Sequence, residues 1–202
     1  FKDAVAIENS AINVPLSLEG IRFDNRVSFR GAEIAKPLNL VGVKIDSALT
    51  LTEVNANAPI NLTGLAIDGE LKMDHASFVS LNVTGAKIDD TLTLAGSKVT
   101  SSLNLVGVSV DGDLLMDKGE FNVVNLTGAK IDDDVKMSGS RVTGPINMTG
   151  VKVDGDLLMD DGGEFNSINL TGARINGKFE RQGSTFHGPV TQTMVRIGDD
   201  ED

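Results

Sequence analysis

An apolar residue followed two positions later by glycine returns eight times at a spacing of 21–22 residues: Leu18/Gly20, Leu40/Gly42, Leu62/Gly64, Val83/Gly85, Leu105/Gly107, Leu126/Gly128, Met148/Gly150 and Leu170/Gly172. A period this short and regular marks a solenoid, in which each repeat buries its apolar face only against its neighbours. It fixes an architecture and leaves few of the usual routes to an active-site cleft.

A finer beat lies inside each repeat. Val83, Ile88, Leu94 and Val99 are followed by Leu105, Val110, Met116 and Phe121, and then by Leu126, Ile131, Met137 and Val142. Four apolar-x-apolar steps of five or six residues suit four short strands with inward alternation. Gly, Asp and Asn fall between the steps, where corners are needed. Short, β-branched segments broken by glycine suit a helix poorly. Coils stacked at about 4.8 Å would make a rod about 40 Å long from about nine turns.

The units Leu103-Asn104-Leu105-Val106-Gly107 and Leu81-Asn82-Val83-Thr84-Gly85 resemble the pentapeptide-repeat consensus A(D/N)Lxx. The resemblance runs over nearly the whole chain and implies an all-β, right-handed, four-sided parallel β-helix of about 21–22 residues per coil. Leu or Val often replaces the consensus Ala, and many steps have six residues, so a three-sided β-helix of the same coil length is the alternative. One solenoid domain is expected over residues 1–197, with no evident N-terminal cap, a degenerate C-terminal coil or cap at 176–197, and an acidic tail at 198–202.

A longer period overlies the short one. Residues 82–124 and 125–168 match at more than half their positions, with one extra glycine near Gly162–Gly163. The fourth side reads Phe78, Val99, Phe121, Val142, Phe165, an alternation of large and small that can interdigitate up a stack. Phe186 breaks the rule.

The chain is 40% hydrophobic, enough for one long, narrow core. No apolar run is long enough to span a membrane as a helix. Cysteine is absent, which removes disulfides and thiolate sites and leaves the compartment unknown, with the cytoplasm slightly favoured. The chain opens at Phe1 already in the apolar rhythm, as a processed or excised piece would. Its net charge is −11; without the four acids Asp199, Asp200, Glu201 and Asp202 it is −7. That balance disfavours direct nucleic-acid binding and suits a basic partner.

Asp24, Asp46, Asp68, Asp89, Asp111, Asp132 and Asp154 form one column of carboxylates. Neighbours about 4.8 Å apart repel by about 1 kcal/mol even in water. Two residues earlier stand Arg22, Lys44, Lys87, Lys130, Lys152 and Arg174, interrupted by Ala66 and Ser109, so a solvated, structural ladder of opposite charge is expected. A second acidic set at the corners, with Asp113, Asp133, Asp134 and Asp156 as candidate binding residues, is less neutralised. Pairs such as Asp111/Asp113 offer oxygens of the kind Ca²⁺ prefers, but the glycine-rich nonapeptide of calcium-binding β-rolls is missing, and no metal or cofactor is expected.

The array Asn61/Thr63, Asn82/Thr84, Asn125/Thr127, Asn147/Thr149 and Asn169/Thr171 reads as N-x-T acceptors, as a hydrogen-bonded ladder, or as the flat Thr face of an ice-binding β-helix. His75 and His187 lie in different repeats and belong to no triad, so no enzyme is expected. The expected function is a non-enzymatic structural or protein-interaction scaffold. The pentapeptide-repeat resemblance implies two further expectations: an acidic DNA mimic that binds a type II topoisomerase or other nucleic-acid enzyme, and a homodimer through the C-terminal end.

Overall fold

The structure, a computed structural model, describes residues 1–198. It is all-β, with no helix among the described residues. One nine-stranded sheet climbs from Val5–Ala6 to Phe179–Glu180, and another from Arg22–Phe23 to Arg196–Ile197. Between them lies a sheet with two tracks, one from Ala11–Ile12 to Thr185–Phe186 and the other from Leu16–Ser17 to Val190–Thr191. We call these the first, third and second sheets in chain order. Every pairing is parallel and joins residues one repeat apart, such as Leu71 with Leu92 and Ile88 with Val110. The chain is therefore a β-solenoid of about nine coils.

The apolar beat builds the bore. In one coil Leu38, Leu40, Val43, Ile45, Leu49, Leu51, Val54 and Ala56 are each at most 2% exposed. They fall in pairs, two inward residues flanking one outward residue, and each pair is one strand step. Two-residue corners alternate with three-residue corners, which gives the five- and six-residue steps. The two-residue corners close with a backbone bond, Val43 N–H to Leu40 O at 3.2 Å and Val54 N–H to Leu51 O at 3.3 Å, and need a positive φ at their second residue. Gly128 shows why glycine holds the first of these corners: its φ is 66° and a Cβ there would touch nothing within 4 Å. Backbone conformation, rather than crowding, selects glycine. Corner amides also bond upward, as in Gly85 N–H to Val106 O at 2.9 Å, so the rod leaves few backbone groups unmet.

The longer period has a backbone cause. Two residues separate the tracks of the second sheet in the Phe coils (Phe78 to Leu81, Phe121 to Val124), and three in the Val coils (Val99 to Leu103, Val142 to Ile146). Each pairing there accordingly carries a register shift, a bulge at every level. Inside, the Phe ring lies over a small residue of its own coil: a Cβ on Gly119 would sit 2.3 Å from the Phe121 ring. The Val coils place a serine there instead. Ser97 Oγ donates to Met73 O at 2.5 Å and accepts the Ala76 N–H at 3.0 Å. Ser140 repeats this on Met116 O and the Gly119 N–H, at 2.6 and 3.1 Å. Both serines are 1% exposed, and each stitches one coil to the last.

The third copy of the stitch fails. The extra residue at Gly162 lets the Gly163 N–H bond Asp160 O at 3.2 Å, and the buried Ser184 hydroxyl has no partner. Beyond it the core thins. Phe179, Phe186, Val190 and Val195 are only partly buried, the Phe165 and Phe186 rings meet at 5.2 Å, and Arg181 occupies the Met116/Met137/Met159 column with its guanidinium 5.6 Å from the Phe179 ring centre. Residues 176–197 keep the strand positions of a coil, whereas the 198–202 tail lies almost wholly outside the described residues.

Candidate functional site

The third sheet carries the two charge columns. Lys87, Ile88 and Asp89 show the plan: the middle residue faces the bore and the flanking pair faces solvent. Arg22 pairs with Asp24 at 3.4 Å and with Asp46 at 2.5 Å, and Asn176 Nδ2 donates to Asp154 at 2.8 Å. Lys44, Lys87, Lys130 and Lys152 have no carboxylate within 4 Å among the described residues, and Asp68, Asp89, Asp111 and Asp132 have no cation that close. All eight are exposed. The two columns run side by side with most of their charges unpaired.

The corner acids are arranged differently. Asp113 Oδ1 accepts the Asp134 N–H at 3.0 Å, Asp134 Oδ1 accepts the Asp156 N–H at 2.8 Å, and Asp156 Oδ1 accepts the Lys178 N–H at 2.7 Å. Each carboxylate thus ties its coil to the next. Lys136 Nζ lies 3.2 Å from Asp113 and 3.1 Å from Asp134. The amide of Asp156, followed by Lys136, holds the Asp134 carboxyl below its ordinary pKa. Asp133 is exposed and lies outside this chain of bonds. At the corner that follows the first-sheet strand Leu114–Leu115, burial pushes the Asp117 carboxyl up, although it accepts the Ser138 N–H at 2.9 Å.

The Asn/Thr array is a set of capped corners. Asn125 Oδ1 accepts from the backbone N–H of Thr127 at 3.1 Å and from its hydroxyl at 2.7 Å, and Asn61, Asn82, Asn147 and Asn169 do the same. The coils are linked where Asn82 Nδ2 reaches Thr63 Oγ1 at 3.0 Å and Asn169 Nδ2 reaches Thr149 Oγ1 at 3.2 Å. These Thr hydroxyls donate inward to asparagine.

One ladder escaped the sequence reading. Lys98, Glu120, Arg141 and Glu164 alternate in sign up the second sheet and pair as Lys98–Glu120 at 2.6 Å and Arg141–Glu164 at 3.1 Å. The Lys98 hydrogen bond lowers the Glu120 pKa. Its signal was present as a sign alternation in step with the Phe/Val alternation. Beside it runs a shallow furrow, with hollows of about 370 Å³ at Thr100 and Asn122 and about 240 Å³ at Thr143 and Asn166. His187 lines the second hollow, while His75 sits at a corner with φ 53° over Gly96. No three His, Asp or Glu side chains converge as a metal site among the described residues.

The geometry defines a parallel β-solenoid whose polar side chains mostly serve its own coils. In repeat length and step size it is pentapeptide-repeat-like. A comparison with protein-family models finds no match, and a comparison with curated proteins finds none.

Proposed function

We propose that this chain is a non-enzymatic scaffold, a stiff rod that holds a regular charged face toward another protein. The observation that carries the reading is the division of its polar groups. Carboxylates, amides and hydroxyls at the corners are engaged between coils, as in Asp134 to Asp156 and Ser140 to Gly119, whereas the third-sheet columns stay exposed and mostly unpaired. Such an outer surface supports rigidity and presentation rather than turnover. It also weighs against an acidic DNA mimic, because the basic column Arg22, Lys44, Lys87, Lys130 and Lys152 runs beside the acids, and against ice binding, because the Thr hydroxyls donate to asparagine.

The test is cross-linking of the folded protein to its partners through residues on the third sheet, run beside a type II topoisomerase supercoiling assay. The scaffold reading expects specific cross-links from that sheet and unchanged supercoiling at micromolar protein. Altered supercoiling that is abolished by Asp133→Lys, an exposed position outside the coil ties, would replace it with the mimic. Reversing Asp134 would not discriminate, since it breaks a coil tie as well as a surface charge.

A further inference from the structure

We propose that the third-sheet face docks against the same face of a second copy, with the two rods parallel about a two-fold axis running along their length. This rests on the scaffold reading, because it takes the unpaired charged face as the interaction surface and names its occupant.

The argument begins with direction. All nine strands of the third sheet are parallel, so from outside every one presents its basic residue first and its aspartate second, two residues or about 6–7 Å apart. The face is therefore two stripes of opposite sign rather than a checkerboard. A second copy turned about an axis along the rod exchanges left and right and sets stripe against opposite stripe. Lys44 then faces Asp46 of the second copy, Lys87 faces Asp89, Lys130 faces Asp132 and Lys152 faces Asp154, each reciprocally. Ala66 and Ser109, the short members of the basic column, face Asp68 and Asp111.

The other arrangements fail on charge or on overlap. Antiparallel rods, turned about an axis along the strands, set basic stripe on basic and acidic on acidic. A parallel pair slipped by one coil keeps the attraction but loses the two-fold and leaves one coil of each rod unopposed. Only the in-register parallel pair opposes the stripes over their whole length with two-fold symmetry. It also sets a lysine opposite Asp89 and Asp132, which have no cation within 4 Å on their own chain among the described residues.

The strength follows from area. A strip about 40 Å long and roughly 15 Å wide offers about 600 Å² per rod, short of the ~800 Å² per partner of a standard interface. The pair is thus weak, and its charged contacts make it salt-sensitive.

Sedimentation at about 100 µM protein in about 20 mM and about 500 mM salt, where the Debye length falls from about 20 Å to about 4 Å, reads this directly. The expected result is a dimer at low salt and an association constant at least tenfold lower at high salt. Two variants then test the face: one carries Lys44→Glu, Lys87→Glu, Lys130→Glu and Lys152→Glu, the other the facing Asp46→Lys, Asp89→Lys, Asp132→Lys and Asp154→Lys. All of these positions are exposed except Asp46, which is partly exposed, and circular dichroism checks that both variants fold. Each alone should be monomeric, and an equimolar mixture should recover a heterodimer. Fluorophores on Lys2→Cys should show strong energy transfer in the wild-type dimer, since parallel rods bring equivalent ends together. A wild-type protein that stays monomeric at low salt overturns the proposal, as does a dimer that neither salt nor the variants weaken; the latter would place the contact at a rod end. If self-association fails while the third sheet still cross-links a different protein, the scaffold reading survives and this occupant does not.

Discussion

Two corners of this rod share a design and differ by one residue. At the first, Ser140 reaches back to Met116 O and the Gly119 N–H. At the second, Ser184 holds the equivalent place over Gly163, but Gly162 has been added to the corner and the hydroxyl meets nothing. The serine is the same; what differs is the path of the chain beneath it. A buried hydroxyl contributes only while both coils keep a common register, and one added residue turns a tie into an unmet polar group. The coils beyond the second corner are also those in which Arg181 replaces a core methionine and Phe179 and Phe186 lose full burial.

The strongest challenge to this contrast is to give the middle of the rod the character of its end. Met137 is fully buried in the column that Arg181 occupies further on. Met137→Arg places a charge in the bore without a partner and should cost more than about 4 kcal/mol, seen as loss of the cooperative thermal transition. Arg181→Met should leave the melting temperature unchanged or raise it.

The serines sharpen the comparison at a smaller scale. Ser97→Ala and Ser140→Ala should each destabilise by about 1–3 kcal/mol in chemical denaturation, because the Ala76 or Gly119 N–H and a methionine carbonyl lose their bridge. Ser184→Ala should be neutral or stabilising. Deleting Gly162 should restore the pattern, so that Ser184→Ala becomes costly in that background. If it stays neutral there, the added residue is not what frees the hydroxyl.

The smallest effects are those of pH, and they oppose each other. The Asp134 pKa is lowered in the folded rod, chiefly by the Asp156 amide. Its stabilisation is complete above the unfolded carboxyl value of about 4 and is lost as pH falls through the lowered folded value. Asp117 is raised by burial, so its ionisation costs stability above its folded value, and that cost disappears as pH falls. Asp134→Asn should reduce the loss of stability on acidification, whereas Asp117→Asn should raise stability slightly at neutral pH. Urea midpoints measured from pH 3 to pH 7 separate the two.

The solenoid was legible in the sequence because its inward positions repeat faster than a coil turns. Leu105, Val110, Met116 and Phe121 announce four steps whatever their exact corners are. The alternation of Phe78, Val99 and Phe121 was legible as well, since bulk at one position shows directly in a sequence. Its backbone cause was hidden, being a single residue more or less between Val99 and Leu103. The ties at Asp113, Asp134 and Asp156 were visible as acids but not as amide acceptors, because the amide that each one meets is 21–22 residues away and belongs to no local motif. Separations of 22 and 23 residues concealed the Lys98–Glu120 and Arg141–Glu164 pairs in the same way. The charged columns of the third sheet were seen, but nothing in one strand told that Arg22 pairs while Lys87 does not.

The bulged corner between the two tracks of the second sheet bears on how such a chain can lengthen. Since Phe coils and Val coils differ in length by one residue there, a duplicated single coil placed between Phe78 and Phe165 would set either ring on ring or long corner on long corner. A duplicated pair would slide in unnoticed. Within the alternating coils from Phe78 to Phe165 growth thus goes in twos, and a protein engineer lengthening that stretch should add about 43 residues at a time, with the near-copies at 82–124 and 125–168 as the template.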